Sequence, residues 1–180
     1  MSRALLAALV LATAFTARAQ EGIFLSEADA PRAVFPDADG FTRQDVESTP
    51  ELRARLTERL GTIATSLWEE RYPVFRAERA GATLGHAVIV EEIGKHRPIT
   101  FVVGVRPDGS VADVAVVAYR EAYGGEVRSQ RFLSQYRDAR AGADLRPYHE
   151  IKNVAGATLS VEAAGRAVKK AQAVALEVEK

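Results

Sequence analysis

Apolar residues recur along this chain with two different periods, and the periods separate helical from extended stretches. Leu52, Leu56, Leu60, Ile63 and Leu67 stand at helical spacing and form one stripe. Just before them, Ser48-Thr49-Pro50-Glu51 carries helix-start chemistry, with Ser48 and Glu51 at capping-box spacing and a proline in the first turn. Gly61 can end the first piece of this helix. Residues 74–80, 87–92, 100–105 and 111–119 are instead rich in Val, Ile, Phe and Tyr and read as four strands. Arg106-Pro107-Asp108-Gly109-Ser110 combines a fixed proline φ with a glycine that tolerates positive φ, which predicts a hairpin between the third and fourth strands.

After the last strand the chain turns at Gly124-Gly125 into a short helix predicted over 129–136, followed by a polar loop over 137–147. A long C-terminal helix is expected over 161–179, with Ser160 as its N-cap. Val161, Ala164, Gly165, Val168, Ala171 and Ala175 give that helix a face of small residues able to pack close to a sheet. Nearer the N-terminus, residues 26–35 have helical potential and 36–40 form a Pro-Asp-Ala-Asp-Gly turn. Strands grouped together and flanked by helices predict an α+β fold: an antiparallel sheet packed against helices, the longest of them last.

Composition narrows the chemistry. The chain begins with Met1-Ser2-Arg3, an apolar run from Ala4 to Phe15, and Ala17-Arg18-Ala19, the layout of a secretory signal with a small-x-small cleavage site, so residues 1–19 are expected to be removed and the protein to be periplasmic. Without that signal's two arginines, the 24 basic residues fall to 22 against 24 acidic ones, a net charge of −2. That balance offers no basic face for nucleic acid. The apolar run falls short of the ~20 residues a spanning helix requires, and no other segment is apolar enough. Cysteine is absent, which excludes disulfides, thiolate metal sites and iron–sulfur clusters. His86, His96 and His149 have no spacing that would bring three or four ligands onto one ion. No Gly-x-Ser-x-Gly elbow, dinucleotide fingerprint or Walker loop is present.

The most specific feature is Ala155-Gly156-Ala157-Thr158-Leu159-Ser160. A turn of small residues presents a threonine hydroxyl at the start of the last helix, where backbone N–H groups without partners and the helix dipole favour a phosphate. The expected donors are the amides from Leu159 to Val161.

These residues, together with Gly85-His86-Ala87-Val88-Ile89-Val90, Gly94-Lys95-His96-Arg97-Pro98-Ile99-Thr100, Arg120-Glu121 before Gly124-Gly125-Glu126-Val127, and Phe132-Leu133-Ser134-Gln135-Tyr136, resemble the FMN-binding domain family over roughly residues 80–175. The family includes flavin subunits of the sodium-pumping NADH:quinone reductase and of the Rnf electron-transport complex, and many small exported proteins. Its motif is Asp-x-x-Ser-Gly-Ala-Thr, and its threonine is esterified to the phosphate of FMN by a flavin transferase that uses FAD. Thr158 is the matching residue, and Glu121 matches the glutamate of the family's Glu-Thr-Pro-Gly stretch. Two positions depart from the motif: Ala155 replaces the usual serine, and Lys152-Asn153 occupy the region of the acidic residue.

With the signal read at 1–19 and an N-terminal helical region expected over 20–72, the resemblance implies an FMN-binding domain over 73–180. It also implies FMN held on Thr158, with Gly156, Ala157, Leu159, Ser160, Glu121, Tyr123, Gly124 and His149 around it. The leading expectation is an exported electron carrier that works between a membrane or periplasmic donor and acceptor. The alternatives are an accessory or sensing module of a membrane redox complex, with FMN bound loosely or not at all, and a reductase using Tyr123 or His149 as proton donor.

Overall fold

The computed structural model describes residues 22–179. The signal expected at 1–19 lies outside the described residues. In chain order the elements are β1 (Gly22–Ile23), α1 (Ala30–Val34), β2 (Gly40–Glu47), α2 (Pro50–Leu60), β3 (Arg71–Arg79), β4 (Ala82–Ile93), β5 (Pro98–Val105), β6 (Val111–Tyr119), α3 (Gln130–Leu133) and α4 (Thr158–Val178). Short 3-10 turns, Gly125–Arg128 and Ser134–Tyr136, flank α3.

All strand pairings are antiparallel, and the sheet runs β1-β6-β5-β4-β3-β2. The α+β architecture expected from the sequence is therefore what forms. The hairpin between β5 and β6 also closes as expected: Arg106 N–H donates to Ser110 O at 2.8 Å, and Asp108 Oδ1 accepts from Ser110 N–H at 2.9 Å.

Side-chain alternation sends the two faces of the sheet into separate cores. Val88, Val90, Phe101 and Val103 pack on one face against α2 and α4, while Ala87, Ile89, Val102 and Phe75 pack on the other against Ala30, Val34 and Phe35 of α1 and its end. With cover on both sides, β4 and β5 bury residues in succession. This is why they appear in the sequence as continuous apolar runs rather than alternating ones.

α4 is the central helix. The anticipated small face is buried, and so are Lys169, Lys170 and Gln172, so the helix is enclosed on more sides than its pattern implied. Lys170 is fully buried, and its ammonium lies 2.9 Å from Glu92 Oε1, 3.0 Å from Glu69 Oε2 and 2.6 Å from Glu91 O. Glu92 is fully buried too and also receives Thr65, Ser66 and Arg166. The cluster fastens the coil between α2 and β3 onto α4.

Four local expectations shift. The helical stripe is real for Leu52, Leu56 and Leu60, but α2 stops at Gly61, and Ile63 and Leu67 lie in the coil, where Leu67 O accepts from Lys170. The cap of α2 is Thr49, whose hydroxyl accepts from Leu52 N–H, because Ser48 Oγ is taken by Arg53 Nε at 2.9 Å. α4 begins at Thr158, so Ser160 is inside its first turn and does not cap it. β2 was not expected at all. It is an edge strand exposed on most of its positions, so no apolar alternation announces it, and Arg43, Asp45 and Glu47 suit an edge that should not pair further.

Candidate functional site

The turn at 154–157 delivers Thr158 to the first position of α4. Ala157 N–H donates to Val154 O at 3.0 Å, closing the turn, and Gly156 adopts φ +77, a conformation costly for any residue with a Cβ. Nothing lies within 4 Å of where a Gly156 side chain would stand, so the backbone is open to a ligand there. Val161 N–H is already bonded to Ala157 O at 3.0 Å. Among the described residues, the amides of Thr158, Leu159 and Ser160 have no backbone acceptor, one residue earlier than the expected set of Leu159 to Val161. They form the N-terminal end of a 21-residue helix, where an anion is favoured.

The end of β6 is tied to this helix start. Tyr119 Oη donates to Tyr123 O and lies 3.1 Å from Ser160 Oγ, so the serine hydroxyl is the donor in that second bond. Burial raises the Tyr119 pKa, which keeps the phenol protonated and able to donate. Gly124 fits between the two elements at φ +80: a Cβ there would stand 3.0 Å from Tyr119 Oη and 3.1 Å from the Ala157 Cβ. The sequence marks Tyr119 only as a strand end, and Ser160 as a helix cap and a residue near FMN; their pairing across 41 positions is a product of the fold.

Thr158 stands between two clefts. One, of about 460 Å³, is lined by Glu121, Tyr123, Lys95 and His96 opposite Gly156 to Ser160. The other, of about 440 Å³, is lined by Ile63, Ala64, Leu145, Pro147, Tyr148 and His149 among others. Both volumes lie within the range of small-molecule sites. The candidates Glu121 and Tyr123 thus share a cleft with the Thr158 turn. Gly124 sits behind that turn, and His149 faces the second cleft.

Each candidate has a definite setting. Glu121 Oε1 accepts the backbone N–H groups of His96 at 2.5 Å and Arg97 at 2.9 Å, so it braces the turn between β4 and β5. Partial burial opposes its charge, but the amides of Arg97, His96 and Lys95 outweigh this and hold its carboxyl below the ordinary value. His149 Nδ1 lies 3.2 Å from Asp144, which also takes a bidentate contact from Arg146. His86 is far from the turn, buried beside Glu179. Among the described residues no three His, Cys, Asp or Glu side chains are grouped to hold a metal. Arg128 stacks on Phe24 with its guanidinium 4.6 Å from the ring centre, and Lys152 is exposed, its amide bonded to Gln135. Tyr123, Tyr148 and Leu159 are among the most exposed large hydrophobic side chains and rim the two clefts.

The Thr158 hydroxyl has a neighbour that the motif did not single out. Asn153 Nδ2 lies 2.9 Å from Thr158 Oγ1 and 2.6 Å from Tyr148 Oη, while Asn153 Oδ1 is buried without a partner among the described residues. Tyr148 reaches that position from a backbone at φ +68, a left-handed conformation that costs an aromatic residue roughly 1–2 kcal/mol. Strain of this kind concentrates at functional sites.

The first cleft, the helix start behind it and both flanking loops lie within residues 94–173, and this span matches the sequence model of the FMN-binding domain family. Residues 94–173 thus resemble an FMN-binding domain. The domain's matched segment contains β5, β6, α3 and most of α4, so it holds Thr158 and every candidate around it. A related protein is one of the components of the proton-translocating ferredoxin:NAD(+) oxidoreductase complex of Clostridium ljungdahlii, 29% identical over 104 residues. The alignment covers 54% of this chain and 56% of that component, so the chain spans about half the length of the relative it matches. The residues fit the cofactor: unpaired amides for a phosphate, a cradle at Gly124 that a Cβ would fill, and an orphaned amide oxygen on Asn153 at the edge of the hydroxyl.

Proposed function

We propose that this chain is an exported electron carrier that holds FMN through a phosphoester on Thr158 and passes electrons between a membrane or periplasmic donor and an acceptor. The observation that carries the reading is the position of Thr158, at the first residue of α4 within a segment that resembles an FMN-binding domain, beside three amides without backbone acceptors and between two clefts of ligand size. Bound FMN would supply one- or two-electron chemistry. The chain's own residues would then do four things: the amides of Thr158 to Ser160 would neutralise phosphate charge, Glu121 would keep the 94–97 turn in place, Tyr119 and Ser160 would lock the β6 loop to the helix, and the exposed rim of Tyr123, Tyr148 and Leu159 would give a partner protein close access.

The signal-like residues 1–19 support export, and a covalent tether suits a compartment where free flavin would diffuse away. The partners proposed are a flavin transferase and the redox proteins on either side. The relative's name puts that protein in a proton-translocating complex, which supports a membrane redox complex as the partner class. No helix among the described residues is long and apolar enough to cross a membrane.

A second reading, a non-covalent or flavin-free accessory module, is favoured by exposed Lys152 and Ala155 at the motif's acidic and serine positions. Coexpression with a flavin transferase, followed by intact-mass measurement of the exported protein, separates the two. A gain of one FMN less water, absent in Thr158→Ala, supports the carrier. An unmodified wild-type mass supports the module and overturns the carrier.

A further inference from the structure

We propose that Asn153, steadied by Tyr148, positions the Thr158 hydroxyl for phosphoester formation; this rests on the attachment reading above. Three observations converge on the pair. The Asn153 NH₂ carries two hydrogens and has two acceptors in range, Thr158 Oγ1 at 2.9 Å and Tyr148 Oη at 2.6 Å. Its Oδ1 is buried without a partner among the described residues, a costly arrangement in a segment with solvent close by. Tyr148 is held at φ +68, and its N–H donates to Ile151 O at 3.0 Å, so a strained turn brings the phenol to Asn153.

The chemistry explains why an amide suits this place. In the transfer, Thr158 Oγ forms a bond to the phosphorus of the FMN half of FAD. The bond from that phosphorus to the bridging oxygen breaks, AMP leaves with the electron pair, and the hydroxyl proton passes to a base of the transferase. An N–H directed at Oγ1 occupies one lone pair, fixes the rotamer and turns the hydroxyl proton away, leaving the second lone pair to attack. The same N–H remains useful afterwards, because an ester oxygen and a phosphate oxygen both accept. A carboxylate of the same shape would only accept, and would repel the incoming phosphate. Position 153 thus needs a neutral donor, and this chain has one five residues before the hydroxyl.

The test uses the full chain purified without modification, incubated with FAD and a flavin transferase and followed by intact mass over time. Asn153→Ala should lower the maximal rate about five- to tenfold, the loss expected from one hydrogen bond, while the KM for the chain changes by less than about twofold. Asn153→Asp, nearly isosteric, should be slower still, an ordering that mere support of the loop would not produce. Wild-type rates in Asn153→Ala, or in Asn153→Asp, overturn this inference alone. A wild-type chain that gains no mass overturns the attachment reading and this inference with it.

Discussion

Replacing Lys170 by methionine, which keeps its length and removes its charge, should strongly destabilise the protein. The side chain is fully buried, and its ammonium is shared among Glu92, Glu69, the carbonyls of Glu91 and Leu67, and Thr65 Oγ1. Without it, Glu69 retains as donor the Glu91 N–H at 2.6 Å, and buried Glu92 retains Thr65, Ser66 and Arg166 Nε at 3.1 Å. Removing one partner from a buried ion pair costs about 3–5 kcal/mol. Set against a total stability of about 5–15 kcal/mol, that is a large share. For a chain of this size it lowers the melting temperature by about 6–20 °C.

The two glutamates respond to pH in opposite directions. Burial opposes the Glu92 charge, but Lys170 and the hydroxyls of Ser66 and Thr65 overcome it, so its pKa is lowered. Its stabilisation is present above the unfolded pKa and lost as pH falls through the folded one. Burial dominates at Glu69 and raises its pKa, so protonating it favours the fold as pH drops. In Lys170→Met both carboxyls are left more costly to ionise, and the deficit should therefore be smaller at pH 5 than at pH 8. Urea unfolding followed by Trp68, the sole tryptophan, reads all of this. A deficit below about 1 kcal/mol, or one strictly additive with that of Glu92→Gln, would refute the reasoning.

Two further outcomes follow from the same geometry. Gly165→Ala should destabilise, although replacing a mid-helix glycine ordinarily gains about 1 kcal/mol. The new Cβ would meet Leu145 O at 2.5 Å, and separating α4 from the loop that walls the second cleft should cost about 1–3 kcal/mol, visible as a lower urea midpoint. Glu121→Ala removes the acceptor for the His96 and Arg97 amides and should cost about 1 kcal/mol, kept small by solvent screening. Because the folded pKa of Glu121 is depressed, its contribution exists above the unfolded value and disappears in acid. Wild type and variant should therefore converge in stability as pH falls, and hydrogen exchange should be faster at residues 94–97 of the variant at neutral pH.

How much of the site could be read in advance depended on how far apart its parts lie along the chain. Thr158 and its small-residue turn were legible, because a helix start and its phosphate-friendly amides are built from consecutive residues; the set of free amides moved by one only because Val161 N–H is already used. The Glu121 stretch was legible as a candidate, but its grip on the 94–97 turn spans 25 positions and has no local signature. Asn153 was legible only as a departure from the family motif, and Tyr148 not at all, because an amide's reach across a loop depends on the loop's path, including a positive φ at Tyr148 that no sequence pattern marks.

By itself the sequence determined the four central strands, the hairpin, the last helix and the threonine at its head, since periodicity and turn chemistry act between near neighbours. Tertiary structure alone decided that β2 is a strand, that His149 and Glu121 lie on different sides of Thr158, and that Lys170 and Glu92 are interior. A charged residue reads as surface until its partner is known, and the partners here come from segments about 80 residues away. An edge strand likewise exists only because a neighbouring strand offers it unpaired amides and carbonyls.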